Sequence, residues 1–491
     1  MRSDAAISSQ DHDCRDPREI SLSRRRRACQ RPGRGRVSSA GRVGYAPRPM
    51  TRKPASPRSG PSRANRRDAG PNPGEKQPRQ RGTNRAETPA PRPRVRSGAI
   101  KVAEPVARVL RAGHPWVFRD ALPRELQRAK AGTLVPVLDP SGHPLGFGLI
   151  DDEGAVAVRM VSLRSSFELT ADVVRERVMK AKAYREAAVE PENLAACRVV
   201  HGEADGLPGV GVDRLGEYLL LYKYSRCADA FIDDLVRALE EAYTPRGIYL
   251  QERLRSVTAD ERRPGAQLLS GRVAESDIEV QEDGLRFLVD VTAPVSPGLF
   301  LDLREGRRLA ERLAPKKRVL NLFSFTGAFA LRAVRAQAAE VCNVDAAARS
   351  HARCRQNLTA SGLDPEACEA LTGDCFKFLE RMRQRDREFD LVIVDPPPFS
   401  NVKGAVFSAL RDWNRLMEAI CPVVARGGHV LAICNAARLS DEEFHLALGE
   451  GCYAGGRRAT LVGQSGLPAD FPVLPAFTEG RYLKIRLVHL A

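Results

Sequence analysis

The residues best suited to chemistry lie in one short run, Asp395-Pro396-Pro397-Pro398-Phe399, directly after an apolar stretch at 391–394. That stretch has the length of one buried strand. Proline has no N–H to donate and cannot continue a central strand, so the chain must leave the sheet at Pro396. A carboxylate, rigid backbone carbonyls and a ring then gather at the carboxyl end of a strand, where open α/β sheets bind ligands. Such a set can hold a flat nitrogen-bearing group such as a nucleobase, with Asp395 positioning it and Phe399 stacking on it.

Upstream strand ends supply a second half to this site. Asn321-Leu322-Phe323-Ser324-Phe325-Thr326-Gly327 follows a predicted strand and opens a helix. A small-residue turn there lets the backbone approach a ligand at a helix N-terminus. The run lacks the three glycines of a dinucleotide fingerprint, and no Walker lysine follows Gly327, which disfavours NAD and P-loop chemistry. The next strand ends in Asp345, eighteen positions after Gly327, where an acid can accept from two ribose hydroxyls. The third ends near Gly373-Asp374-Cys375-Phe376. Asp374 there can take an adenine amino group or cap a helix, and an apolar side chain can cover the ring. Taken in order, these ends describe a nucleoside pocket beside a base-holding site, and S-adenosylmethionine fits it.

The elements that must position these groups alternate. Strands are predicted at 318–323, 340–344, 368–372, 391–394 and 429–433, with helices between, as at 328–337 and 346–360. Regular alternation implies a parallel sheet covered on both faces. A terminal strand is expected within 480–490. Ahead of this region, residues 98–165 carry short alternating segments broken by Gly and Pro, the pattern of a small β barrel. Residues 166–293 read as a linking helix followed by a small α+β unit, and 294–491 as the α/β domain.

Composition bounds the rest. Of 491 residues, 78 are Lys or Arg and 61 are Asp or Glu, a formal net charge of +17. Residues 1–100 hold 25 basic and 8 acidic residues, so the entire excess lies there and the remainder is balanced at 53 of each. The first 97 residues are rich in Arg, Pro, Gly and Ser, and are expected to be disordered because they offer too little apolar surface to offset ordering entropy. An Arg-rich tail adds non-specific attraction to RNA phosphates; a solvated extension, or a true start downstream at Met50, are the competing readings. No run approaches the roughly 18 apolar residues of a membrane span, and the N-terminus has no apolar signal core. A soluble, cytoplasmic protein is expected. The eleven cysteines include no CxxC pair, so neither a metal site nor a disulfide framework is expected.

These residues resemble the class I methyltransferases of large-subunit ribosomal RNA, and within them the PUA-domain family of 23S rRNA cytosine-5 methyltransferases. The likeness covers about 98–491. It rests on Gly113-His114-Pro115-Trp116-Val117-Phe118, on Gly202-Glu203-Ala204-Asp205-Gly206-Leu207-Pro208-Gly209 with Asp213-Arg214, and on Gly298-Leu299-Phe300-Leu301-Asp302-Leu303-Arg304. The cofactor loop at 323–327, Asp395-Pro396-Pro397 and Glu479-Gly480-Arg481-Tyr482-Leu483-Lys484 complete it. The resemblance implies a Rossmann-like methyltransferase domain preceded by a PUA-type RNA-binding barrel and a central α+β domain. It also implies ribosomal RNA as partner, and cofactor contacts from Phe300, Asp302, Arg304, Asn321, Phe323, Ser324, Thr326, Gly327, Asp345, Asp374, Cys375 and Asp395. No membrane or metal partner is expected, and a homodimer is compatible with the pattern.

One departure bears on mechanism. In that family a catalytic Cys ends the fifth strand, seven positions after a Gly-Gly pair, and attacks C6 of cytosine so that C5 can take the methyl group. Here Gly427-Gly428 is followed by Cys434 at the sixth place and Asn435 at the seventh. One position on a strand turns a side chain to the opposite face. Either a bulge re-aims Cys434, or the nucleophile is missing. The run DPPPFSN also resembles the guanine-N7 branch, whose loop after strand five carries Asn and which needs no covalent intermediate. A third reading is an RNA-binding assembly factor with an inert methyltransferase domain.

Overall fold

Apolar runs that are buried on both faces dictate the centre of the protein. A computed structural model describes residues 98–122, 130–254, 265–275, 277–402 and 405–491, all within one unit, Glu87–Ala491. The tail at 1–97 lies outside the described residues, and with it the expectation of disorder.

The α/β domain is built on a seven-stranded sheet. In chain order its strands are β1 (Arg318–Leu322), β2 (Glu340–Asp345), β3 (Glu369–Thr372), β4 (Phe389–Val394), β5 (Val424–Cys434), β6 (Ala459–Ser465) and β7 (Lys484–Leu490). They lie side by side as β3-β2-β1-β4-β5-β7-β6, parallel through β5 and antiparallel at β7 and β6. The helices are α1 (Arg304–Leu313), α2 (Ala328–Arg335), α3 (Ala348–Ala360), α4 (Cys375–Gln384), α5 (Trp413–Ile420) and α6 (Asp441–Ala454). Val319, Leu320, Leu322 and 391–394 are all but fully buried, consistent with central strands covered on both faces. Each such Val or Leu contributes about 1.5–3 kcal/mol of burial. Strand order reverses between β1 and β4, and at such a switch point the carboxyl ends of the strands open into a crevice.

The predicted strands and the terminal strand are all present. Two elements were not legible: the edge strand β6, and a hairpin of Phe399–Val402 with Ala405–Ser408 that follows the prolines.

Two further sheets precede this domain. Strands Ile100–Lys101, Trp116–Phe118, Leu134–Leu138, Pro144–Ile150 and Val156–Ser162 form a five-stranded sheet around a core including Val117, Val137 and Val158. The helix Ala171–Ala188, capped by Thr170, then leads to a second five-stranded sheet that runs from Ala196–His201 to Gln267–Gly271. The hairpin Ile278–Glu282 with Leu285–Val289 joins neither sheet and packs on α3.

Buried charge ties the hairpin to α1 and α2. The Glu282 carboxylate is fully buried and accepts two bonds from Arg307, at 2.6 and 2.7 Å, and one from Arg332 at 2.8 Å, with Arg304 Nε 3.3 Å away. Arg304 also donates to Asp470 at 2.9 Å and to the Ala196 carbonyl at 2.6 Å.

Candidate functional site

Strand register brings the two key acids together. Leu322, the last residue of β1, pairs with Val344 on one side and Val394 on the other. Asp345 and Asp395 therefore flank the start of the loop after β1, two strand spacings or about 9–10 Å apart. Both line a single cavity of about 490 Å³ at the switch point, within the range of small-molecule sites.

The loop between them is held in a strained conformation. Phe323 and Phe325 have φ of 55° and 46°, and Gly327 has 78°. Left-handed backbone at two non-glycine residues costs about 1–2 kcal/mol each and persists only where surroundings over-determine it. Here Asp345 accepts from the Phe325 N–H at 2.8 Å and the Ala347 N–H at 2.9 Å, while Thr326 Oγ1 donates to the Gly298 carbonyl at 2.6 Å. Gly327 leaves no room for a side chain, because a Cβ there would overlap the Cys354 thiol and come within 2.8 Å of the Cys354 Cβ. Gly327→Ala is expected to lower stability by about 2–4 kcal/mol, read from urea unfolding. A loss under about 1 kcal/mol would show that α3 yields freely.

Asp374 lines the cavity and caps α4, accepting from the Lys377 N–H at 3.0 Å. Both readings of this residue are therefore compatible with its place. Cys375 lies beside it on the wall, and burial pushes its thiol up. Phe300, Phe323, Ser324 and Thr326 also line the cavity.

Asp395 occupies the far wall. Burial pushes its carboxyl up to about 7, Asp302 adds to the rise and Arg307 opposes it. A raised folded-state value means that the folded protein holds the proton more firmly than the unfolded chain. The resulting stability is fully present below the ordinary value of 3.8 and is lost as pH rises through about 7. Ligand-free protein is expected to melt at progressively lower temperature across that window, and Asp395→Asn is expected to flatten the slope. An unchanged slope in the variant would remove Asp395 as the cause.

At the end of β5 the faces divide as the period of a strand requires. Asn435 lines the cavity, whereas Cys434 is 1 % exposed in the core. Pairing of β5 with β7 runs without a shift from His429 to Cys434, so no bulge re-aims the thiol. Burial pushes the Cys434 thiol up; the Ala436 N–H, Lys484 and the Trp413 indole act in the opposite direction.

Five other residues expected at the site stand away from the cavity wall. Arg304 belongs to the buried ion cluster under α1. Asn321 is buried lower on β1 and donates to Asn343 Oδ1 at 2.9 Å. Gly327 shapes the loop from the N-cap of α2. Asp302 faces a neighbouring cavity and accepts from the Tyr482 hydroxyl at 2.7 Å. Phe399 is 62 % exposed on the hairpin; on that side of the cavity the rings on the wall are instead Phe407, from the returning strand, and Phe376 beside it. Arg307 and Arg415 were not anticipated. Arg307 donates to the Phe300 carbonyl at 2.9 Å, and Arg415 stacks 4.5 Å over Phe376. No sequence pattern marks Phe407, since only the hairpin's return brings it back.

The donor set fits a nucleoside cofactor beside a base. Ser324 Oγ and Asn435 Oδ1 are buried on the cavity wall with no hydrogen-bond partner in the protein, and groups of that kind are costly unless a ligand or water satisfies them. Asp345 and Asp374 supply acceptors, and the aromatic wall supplies flat faces. No group of three or more metal-ligating side chains occurs among the described residues, and no helix among them is long and apolar enough to cross a membrane.

Comparison with known proteins agrees with this geometry. Residues 198–456 match the family of S-adenosylmethionine-dependent methyltransferases, and residues 100–163 match a PUA-like domain. Ribosomal RNA large subunit methyltransferase I of Shigella boydii serotype 4 is 29% identical over 375 residues, which is 76% of this chain and 94% of that protein. The protein of the same name from Escherichia coli O1:K1 / APEC matches to the same extent. The crystal structure of SMU.776 complexed with SAH shares the fold, with a TM-score of 0.73 and 24% identity over 80% of this chain and 99% of that one. With the family matched over more than half its length, the chain belongs to the S-adenosylmethionine-dependent methyltransferases.

Proposed function

We propose that this enzyme methylates a base of large-subunit ribosomal RNA, with cytosine C5 as the leading target. The observation that carries the reading is the single cavity shared by Asp345 and Asp395 at the β1–β4 switch point. S-adenosylmethionine supplies an electrophilic methyl group when bound. Asp345 would hold its ribose hydroxyls, Asp374 its adenine amino group, and Phe323 and Cys375 would cover the ring. Asp395 would orient the target base, and Phe407 would offer it a stacking face once it has left its helix. The relatives' name supports the RNA substrate, and the PUA-like match supports an RNA-binding role for 98–165. The remaining domains are taken as 166–293 and 294–491. A cytoplasmic location follows from such a substrate, and a homodimer is compatible with it.

The position of Asn435 favours a second reading, a guanine nitrogen target. A lone pair aimed at the methyl group needs no covalent intermediate, and orientation alone supplies the gain. Cytosine C5 instead requires a thiolate, and Cys434, which faces the core here, would have to turn past Asn435 into the cavity to supply it. Nucleoside mass spectrometry of ribosomal RNA from cells with and without the gene separates the two. On the leading reading, 5-methylcytidine is lost with the gene, and Cys434→Ala lowers transfer by about 10²-fold or more. Retained activity in Cys434→Ala, together with a missing methylguanosine, would replace cytosine C5 with the nitrogen reading.

A further inference from the structure

Behind the cofactor cavity lies a second one, of about 400 Å³, which shares Arg253, Leu299 and Phe300 with the first. The partition is therefore the thin 298–302 segment. This second cavity is walled by the middle domain and by the 471–482 stretch that leads into β7. Nothing in the methyl-transfer reading uses it.

Its chemistry selects a class of ligand. Tyr222 and Tyr224 lie with planes 22° from parallel and centroids 6.1 Å apart; Arg198 and Arg253 sit over the buried Tyr222 ring, and the exposed Tyr224 offers flat aromatic surface. The Asp302 carboxyl, engaged by Tyr482 through one oxygen, borders the same space. The cations on the wall are already engaged: Arg198 by Asp213, and Arg253 by Gln251 Oε1 and the Val295 carbonyl. Burial keeps His201 neutral by holding its imidazole well below the ordinary value. The carboxyls of Glu203, Asp213, Asp302 and Glu479 outnumber the two arginines on the wall, which disfavours a phosphate. Flat faces with carboxyl acceptors suit a base edge that carries N–H donors.

We propose that this cavity holds a second nucleobase of the RNA, one bearing an exocyclic amino group, beside the base being methylated. The proposal rests on the RNA-base reading given above. The closeness of the two cavities supports it, since Arg253, Leu299 and Phe300 line both. Unstacked neighbours of a flipped base are commonly held in this way, by aromatic faces and edge contacts.

The test uses the full-length protein saturated with S-adenosylhomocysteine, which occupies the cofactor half of the first cavity, and titrates AMP, GMP, CMP and UMP by calorimetry; binding that survives in Asp395→Asn is assigned to the second cavity rather than to the target-base half of the first. At least one amino-bearing mononucleotide is expected to bind about tenfold more tightly than UMP. Asp302→Asn should abolish most of that preference, and Tyr482→Phe should weaken binding while S-adenosylhomocysteine affinity holds. Equal binding of all four, or none, with RNA still methylated at the wild-type KM by Asp302→Asn, would overturn the second-base site and leave the RNA reading standing. Mononucleotide preference that persists in a protein methylating no ribosomal RNA would support the cavity as a base site and remove only the substrate reading.

Discussion

Asp395→Ala is expected to lower kcat for methyl transfer by about 10²–10⁴-fold, with affinity for S-adenosylmethionine changed far less. Asp395 stands on the wall opposite Asp345, where the target base rather than the cofactor sugar is expected. Its carboxyl, raised to about 7 by burial, is poised to accept from or donate to a base edge near neutral pH. Losing it removes orientation of the reacting atom, a contribution that is made mainly in the transition state and so appears in kcat. Asp395→Asn keeps shape and one donor, so it should retain more activity than Ala and lose the pH dependence near neutrality. Because the wild-type carboxyl is held in a desolvated place, neither variant should unfold; the melting temperature at neutral pH should hold or rise. A kcat within threefold of wild type would remove Asp395 from the chemistry.

The second large effect concerns folding. Glu282→Gln is expected to destabilise the protein by about 3–5 kcal/mol. Three guanidiniums, from Arg304, Arg307 and Arg332, converge on this one buried carboxylate. Burial works to raise the carboxyl, yet Arg307, Arg304 and Arg332 overcome it and hold it down at about 2. The stability from this depressed group is present above the ordinary 4.5 and is lost as pH falls toward 2. Removing the charge leaves the arginines unbalanced where water cannot reach them. The damage should extend to the site, since Arg307 also lines the cofactor cavity and donates to Phe300. Chemical denaturation of wild type and variant, with cofactor affinity measured in parallel, checks both points. A shift below about 1 kcal/mol would mean that Asp283, Asp470 and Glu311 suffice to balance the cluster.

The two effects lie at different depths of the same architecture. Asp395 is at a strand end, where a side chain can change without disturbing packing. Glu282 joins a hairpin outside the main sheet to α1 and α2, so charge pairing there sets how the middle segment meets the cofactor floor.

Local sequence already carried the strand–helix alternation, the terminal strand, the switch-point acids Asp345 and Asp395, and the small-residue loop between them. The reason is physical: buried central strands must be apolar runs, proline must end one, and a glycine must stand where a Cβ has no space. Local rules of that kind act over a few residues and are written in the chain. Whatever depends on distant segments meeting was set by packing in three dimensions. Arg304 and Arg307 are both arginines on one helix, yet one is locked onto Asp470 and the other reaches the cavity wall. Phe399 and Phe407 are both aromatic, and the hairpin turn exposes one and delivers the other. Cys434 and Asn435 are adjacent, and the unshifted pairing of β5 with β7 turned the thiol into the core and the amide to the cavity.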